Sequence, residues 1–194
     1  MYRNRLTVVL VLLVLATGPT WAWDTGHAAA RGTWLAAGMV KTIYQFPFAG
    51  EGEDLLSLDL TPRVLYFPLD GLGVGADAEF DYTSHSTTVR NVGIGPRAAY
   101  YLRRSPWMPF AGLSFLYLNN SVALLGNAWV QTGWKLAAGL GVSPVVGSLG
   151  TLPVELSFAI TNLRHDTGEG EIDIGRTYAL GLDVGLGFFL GHGR

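Results

Sequence analysis

Three carboxylates at alternate positions form the most chemically suggestive stretch of this sequence. Asp77, Glu79 and Asp81 are separated by single apolar or small residues in the segment VGADAEFDY, residues 74–82. Closely spaced carboxylates are the side chains of acid–base sites. Strict alternation, however, is the pattern of a β-strand with two different faces, so the three acids share one face. What they can do depends on what that face contacts.

The other residues that could do chemistry are scattered. The histidines occur singly, without the spacing of metal ligands, and the glycine-rich stretches GIGP and GLGVG precede no helix that could hold a phosphate. The chain has no cysteine, which excludes a disulfide framework and a lipid-attachment cysteine. We therefore predict no catalytic residue, no metal ligand and no cofactor. The four histidines are His27, His85, His165 and His192.

The first 22 residues are predicted to be a cleaved signal peptide. Arg3 and Arg5 precede an apolar run over residues 6–16, and small residues lead to a cleavage site after Ala22. The run is shorter than the roughly 20 residues that a membrane-spanning helix needs. An uncleaved anchor is the alternative. Residues 23–194 then form one domain.

The composition is unusual for a secreted soluble protein. Only 14% of the residues are charged, whereas a soluble domain carries about 25%. Lys41 and Lys135 are the only lysines, and 26 residues are glycine. A net charge of −2 gives no indication of a nucleic-acid partner.

Eight segments of about ten residues alternate apolar with small or polar residues, as β-strands do. Because hairpin-length connections separate them, we predict an all-β fold: an eight-stranded antiparallel up-and-down barrel, whose closure removes the exposed edges. Pro62 and Pro96 fall inside strands, where we expect bulges or slightly shifted strand limits. The predicted strands are residues 33–45, 56–67, 74–82, 91–102, 109–118, 129–142, 152–162 and 177–190.

The pattern fits two barrels of opposite polarity. A soluble lipocalin-like barrel has an apolar interior, and the tripeptide GTW at residues 32–34 is lipocalin-like. A transmembrane barrel has its apolar face in lipid and its polar face in the lumen. Glycine and other small residues dominate the less apolar face here, which suits the narrow interior of an eight-stranded barrel better than a surface in water.

Aromatic residues and connections also favour the transmembrane barrel. We predict two aromatic girdles, one at each membrane interface. Three connections, at residues 68–73, 103–109 and 143–153, are turn-like, as periplasmic turns are. Those at 48–54, 82–89, 119–128 and 164–175 are mostly longer or more polar, as extracellular loops are. The girdle residues are Tyr100, Tyr101, Trp107, Phe67 and Phe188 at one level, and Tyr44, Tyr82, Tyr117 and Tyr178 at the other.

In a transmembrane barrel the three acids of the opening stretch point inward. Buried charges must be paired, so we predict a lumenal salt-bridge network that plugs the barrel. Arg63 and Arg97 should flank the acidic strand, since they lie on the strands before and after it. Lys41 is a further candidate base. The network comprises Asp59, Arg63, Asp77, Glu79, Asp81, Arg97, Lys135, Glu155 and Asp183.

The chain resembles the small outer-membrane β-barrel family of the OmpX and OmpA-transmembrane-domain type. The resemblance covers the mature chain and is carried by the segments VGIGPRAAYYL, PFAGLSFLYL, GWKLAAGLGV and YALGLDVGLGFF. It implies the outer membrane of a Gram-negative cell, contact with membrane lipid and lipopolysaccharide, insertion by the barrel-assembly machinery and no cofactor. We expect a monomer. Many members end on an aromatic residue, whereas here four residues, 191–194, follow Leu190.

The expected function is structural or interactive: envelope integrity and presentation of surface loops. A narrow channel or small-ligand carrier is the first alternative, and an enzyme that modifies lipid A is the less favoured one. His165, Thr167 and Glu169 are loosely similar to the His-x-Ser-Asn motif, with its following Glu, of the lipid A 3-O-deacylase family. Because the Ser and Asn are absent and His165 is expected beyond the strand, we interpret it as a surface-loop histidine and predict no enzyme.

Overall fold

The computed structural model of the protein describes residues 28–47, 55–84, 87–103, 106–124, 127–147, 149–166 and 171–191. Ten strands lie in this part of the chain. Eight are long, and two, β7 and β8, contain two residues each. They are β1 Trp34–Pro47, β2 Leu55–Leu69, β3 Leu72–Ser84, β4 Thr87–Tyr101, β5 Pro109–Leu124, β6 Asn127–Val142, β7 Val145–Val146, β8 Gly150–Thr151, β9 Val154–Asp166 and β10 Glu171–Leu190.

The eight long strands form a closed antiparallel ring. Each pairs with the next one along the chain, β6 pairs with β9, and β10 pairs with β1 from Trp34↔Leu190 to Pro47↔Thr177. The predicted eight-stranded up-and-down barrel is thereby confirmed. Among the described residues, no helix is long and apolar enough to cross a membrane.

The strands extend further on the loop side than the sequence predicts. The segment 119–128 was expected to be a loop, but β5 continues to Leu124 and β6 begins at Asn127. Likewise β9 reaches Asp166, so the expectation that His165 lies beyond the strand is wrong. The error has a physical cause. The alternation of apolar residues stops where the outer face leaves the lipid, whereas backbone pairing continues above it.

The two prolines leave the strand register intact. Pro62 lies opposite Gly38 and Pro96 lies opposite Ala76, with no shift in either pairing. The bulges expected there are absent, and register shifts occur instead between Tyr66 and Leu69 and between Asp173 and Gly175. Each proline lies where the pairing with one neighbour strand skips two residues, as expected of a residue without an N–H group.

The connection between β6 and β9 prolongs a hairpin. β7 pairs with β8 in the same register in which β6 pairs with β9, and β8 continues along β10 in the register of β9. Pro144 and Pro153 interrupt the two strands at nearly opposite positions. The connection at residues 143–153, expected to be a turn, is therefore the far end of one long hairpin.

The outer surface of the barrel is apolar and its polar strand face is inside. On β10, Leu180, Leu182 and Leu186 are exposed, whereas Asp183 is buried. Tyr178 and Phe188 lie ten residues apart on this face, which at about 3.3 Å per residue and a strand tilt of about 40° spans roughly 25 Å, the height of a membrane band. Lipid covers this face, and the soluble lipocalin-like alternative is wrong.

The aromatic girdles are only partly as predicted. Tyr100, Trp107 and Phe188 are exposed at one level, and Tyr117 is exposed at the other, where Tyr178 is half-buried. Phe67 and Tyr101, however, are buried inside the barrel. Both lie at odd-numbered positions of their strands, and the side chains at these positions point into the barrel. The prediction used only the height of each residue along the barrel and did not consider which face it occupies. Tyr44 and Tyr82 have side chains outside the described part.

Candidate functional site: the barrel interior

Four charged side chains meet across the centre of the lumen. Asp77 on β3 and Glu155 on β9 come from diametrically opposite strands, because β9 is the fourth neighbour of β3 in the ring of eight. Arg63 on β2 and Arg97 on β4 flank Asp77. All four point inward by the period-two alternation and are buried. We call these four residues the charge ring.

Each member of the charge ring contacts two others. Arg63 donates from Nε to Asp77 Oδ1 (2.9 Å) and from Nη1 to Glu155 Oε2 (3.0 Å). Arg97 donates from Nη1 to Asp77 Oδ2 (3.1 Å) and from Nη2 to Glu155 Oε1 (2.8 Å). Two guanidinium groups thus alternate with two carboxylates in a closed and formally neutral cycle. Such charge-assisted contacts are short and directional.

Two paired glycines make room for the charge ring. Gly112 on β5 and Gly139 on β6 are direct cross-strand partners. A Cβ atom on Gly112 would collide with Arg97 Nη2, and one on Gly139 would collide with Glu155 Oε1. These two inward-facing glycines therefore leave the space that the side chains of Arg97 and Glu155 occupy.

A second ion pair lies beside the charge ring. Lys135 on β6 donates from Nζ to both oxygens of Glu79 on β3, at 2.6 and 2.7 Å. Both side chains are buried. This pair also crosses the lumen, since β6 and β3 are three strands apart.

The remaining predicted charges also lie on the lumen face. Asp183 accepts a hydrogen bond from Ser157 Oγ at 3.2 Å. Asp59 and Asp183 both lie opposite Lys41 in the strand register, and all three side chains are buried. Asp81 faces the lumen but is only half-buried. The structure thus places all nine predicted residues and Lys41 on the lumen face, and the charge ring and the Lys135–Glu79 pair account for six of the nine.

A second, apolar layer fills the end of the barrel where β1 begins and β10 ends, the predicted periplasmic end. Phe67, Tyr101, Phe110 and Phe189 pack in its centre, with ring centroids 4.9–6.0 Å apart in the contacting pairs. We call this cluster the apolar layer, and the sequence analysis missed it. Its aromatic residues occupy inward-facing positions near the ends of their strands, and this pattern in the sequence could have predicted the layer. Its members are Ala28, Ala29, Leu35, Leu65, Phe67, Ala99, Tyr101, Met108, Phe110, Val145 and Phe189.

The segment just before β1 belongs to the apolar layer and folds across this end. Gly71 donates its backbone N–H to Ala29 O (2.8 Å), and Gly32 donates to Phe67 O (2.8 Å). Arg103 Nε donates to Ala28 O at 3.0 Å. The start of the described chain is thereby attached to two of the turns at this end.

Little space remains between the charged side chains. The cavity bordered by the charge ring, Lys135 and Glu79 has a volume of about 20 Å³, room for about one water molecule. Several lumen-facing oxygens near the charge ring have no hydrogen-bond partner among the described residues. They are Asp59 Oδ1, Thr61 Oγ1, Asn91 Oδ1 and Asn120 Oδ1.

The described residues do not assemble a metal site or the lipid A deacylase pattern. No group of three or more His, Asp or Glu side chains in this part of the chain could hold a metal ion. His165 Nδ1 lies 3.3 Å from the carbonyl oxygen of Val130. Thr167 and Glu169, the other two residues of the loose similarity, lie outside the described part, as do the signal-peptide residues.

Comparison with known proteins supports the fold and nothing finer. No protein-family model matches the chain, and no curated protein matches it in sequence. Among solved structures it is similar to Neisserial surface protein A (TM-score 0.64, 18% identity, covering 81% of this chain and 99% of that one). It is also similar to the outer membrane protein OprG of Pseudomonas aeruginosa (0.55, 13%, 86% and 99%) and to the outer membrane protein AlkL (0.57, 12%, 91% and 96%).

These likenesses show that the chain has the fold of the small outer-membrane β-barrels, as the resemblance in its sequence implies.

Proposed function

We propose that the protein is a closed outer-membrane barrel with a structural and surface-interacting role, and that it is not a general porin. The observation that carries this proposal is the charge ring, which joins opposite walls of the barrel and leaves about 20 Å³ beside it. An ion would have to break these contacts in order to pass. The apolar layer supports the same conclusion, because it fills the lumen at a second level.

The outer membrane is the proposed location, reached through a cleaved signal peptide. An exposed apolar face on every long strand needs lipid, and small closed barrels with this face are the outer-membrane form of membrane protein. Fractionation of cells on a density gradient, together with heat-dependent migration of the band on a detergent gel, tests this part. Recovery of a soluble periplasmic protein would overturn it.

Planar-bilayer recording tests closure. The purified full chain should give no discrete conductance steps at neutral pH, and Arg97→Ala should give small steps or noise because it removes one side of the charge ring. Arg90→Ala, on the same strand but on the outer face, is the matched control and should stay silent. Regular steps from the unmodified protein would replace this proposal by the narrow channel.

One observation favours a second function, that of a small-ligand carrier. The four oxygens near the charge ring that lack a partner among the described residues are acceptors that a polar ligand with several donors could satisfy. Titration of the folded barrel with small polyols, followed by NMR of the Asn91 and Asn120 side-chain amides, tests it. Unchanged amide signals would leave ordered water as the partner of these oxygens.

A further inference from the structure

The buried charges of the described residues do not balance. Five buried side chains are acids and four are bases. The charge ring is neutral, and so is the ion pair beside it. Lys41 therefore remains as the base for both Asp59 and Asp183, which lie opposite it in the strand register. Asp183 accepts a hydrogen bond from a serine, whereas Asp59 Oδ1 has no hydrogen-bond partner among the described residues.

Asp59 belongs to a row of oxygen-bearing side chains on four successive strands. Asp81 on β3 pairs with Asn91 on β4, and Asn91 pairs with Asn120 on β5. Asp59 and Asp81 are the next residues beyond a registered pair of β2 and β3, so they also lie side by side. All four face the lumen by the period-two alternation. We call these four residues the oxygen row.

The two asparagines add an observation that does not depend on charge. Only 8% of Asn120 is exposed, and the Oδ1 atoms of Asn91 and Asn120 are buried without a hydrogen-bond partner among the described residues. Buried polar atoms are normally satisfied, so these two acceptors need a ligand. Adjacent strands lie about 4.8 Å apart, which allows oxygens on neighbouring strands to share one ligand. The carboxylates beside them favour a ligand with positive charge.

The oxygen row can be reached from outside without crossing the charge ring. On β2, Asp59 lies four residues from Arg63, toward the end that the predicted extracellular loop joins. On β3, Asp81 lies four residues from Asp77, toward the same end of the barrel. Four residues of a strand tilted by about 40° advance roughly 10 Å along the barrel axis.

We infer that the oxygen row binds a calcium ion. Ca²⁺ takes carboxylate and amide oxygens as ligands, tolerates irregular geometry and completes its shell with water. Two carboxylates are sufficient here because the amides supply further oxygens. Mg²⁺ demands a near-ideal octahedron and fits a row of side chains less well. The bound ion offsets the excess negative charge and joins β2, β3, β4 and β5 near their loop ends.

The experiment is equilibrium dialysis of radioactive calcium against the purified full chain in zwitterionic detergent, after removal of metal with a chelator. We expect one ion per chain with a Kd on the order of 10⁻⁴–10⁻³ M, the range of extracellular calcium modules, and weaker binding of Mg²⁺ in competition. Asp59→Asn and Asp81→Asn keep the side-chain shape and remove one charge, so each should weaken binding about tenfold. Asn120→Leu should also weaken it, since it removes an oxygen without changing the charge.

Matched controls exist for both kinds of variant. Asn119 is exposed on the outer face beside Asn120, and Asp70 is exposed at the opposite end of the barrel. Asn119→Leu and Asp70→Asn should therefore bind calcium like the unmodified chain, and heat-dependent gel migration shows that each variant is folded.

Three outcomes would overturn the inference. They are the absence of saturable calcium binding, undiminished binding by Asp59→Asn and Asp81→Asn, and binding of Mg²⁺ as tight as that of Ca²⁺. A polyol site would not need the two carboxylates, so their substitution also distinguishes the ion from the small-ligand carrier. Dialysis in detergent depends neither on the location of the protein in the cell nor on its conductance, so its failure would leave the proposed function unaffected.

Discussion

Removal of Arg97 is the perturbation that separates a structural charge ring from an incidental one. Arg97→Ala deletes the contacts of one guanidinium with Asp77 Oδ2 and with both oxygens of Glu155. The two carboxylates stay in the lumen, where 3% and 2% of their side chains are exposed, and they then share only Arg63. The formally neutral cycle acquires a net charge of −1.

The expected loss is about 3–5 kcal/mol in the free energy of unfolding, the usual cost of removing one partner from a buried ion pair. Urea unfolding of the barrel reconstituted in lipid vesicles, followed by tryptophan fluorescence, measures it. Arg97→Lys keeps the charge but not the planar fork, so its loss should be intermediate. Arg90→Ala on the outer face of the same strand should cost less than about 1 kcal/mol.

The reasoning would be refuted by a loss below about 1 kcal/mol for Arg97→Ala with an unchanged denaturant slope. That result would mean that water or a counter-ion replaces the guanidinium at little cost. A large loss in Arg90→Ala as well would point to a general effect of β4 and not to the charge ring.

Three further predictions use the same assay. Gly139→Ala should destabilise the barrel by about 1–3 kcal/mol because its methyl group collides with Glu155, whereas Gly38→Ala, where a Cβ atom meets nothing within 4 Å, should have little effect. Lys135→Met should cost several kcal/mol by leaving the Glu79 carboxylate unpaired, on the order of 3–5, and adding Glu79→Gln should restore part of it. Phe67→Ala should cost about 3–5 kcal/mol because it opens a cavity in the apolar layer. A Phe67→Ala protein as stable as the original would show that this layer collapses freely.

Period-two alternation was sufficient to predict the barrel, its strand number and the face of every charged residue in the network. Phase alone places Asp77 and Glu155 in the lumen, because each alternates with residues that need lipid. Phase cannot predict that both carboxylates bind the same two arginines, because that depends on β3 and β9 facing each other across the closed ring. Which side chains pair in the interior depends on how the barrel closes and how far its strands tilt. Neither property can be read from a single segment of the sequence.

The apolar layer escaped prediction for a related reason. An apolar residue at a strand end fits a membrane girdle and a barrel interior equally well, and only its phase decides between them. Phe67 and Phe189 are inward by phase, whereas Phe188 is outward. The sequence could not predict that Ala28 and Ala29 join this layer, because their position depends on backbone hydrogen bonds to distant turns.

The charge ring joins residues that lie far apart along the chain. Arg63, Asp77 and Arg97 come from three successive early strands, and without Glu155 they carry a net charge of +1 in a low-dielectric interior. The compensating carboxylate arrives only with β9, the second-last long strand of the chain. The charge ring taken by itself is therefore positive until β9 is in place and neutral afterwards. We therefore expect the contacts that close the lumen also to disfavour a barrel that closes before β9 supplies Glu155.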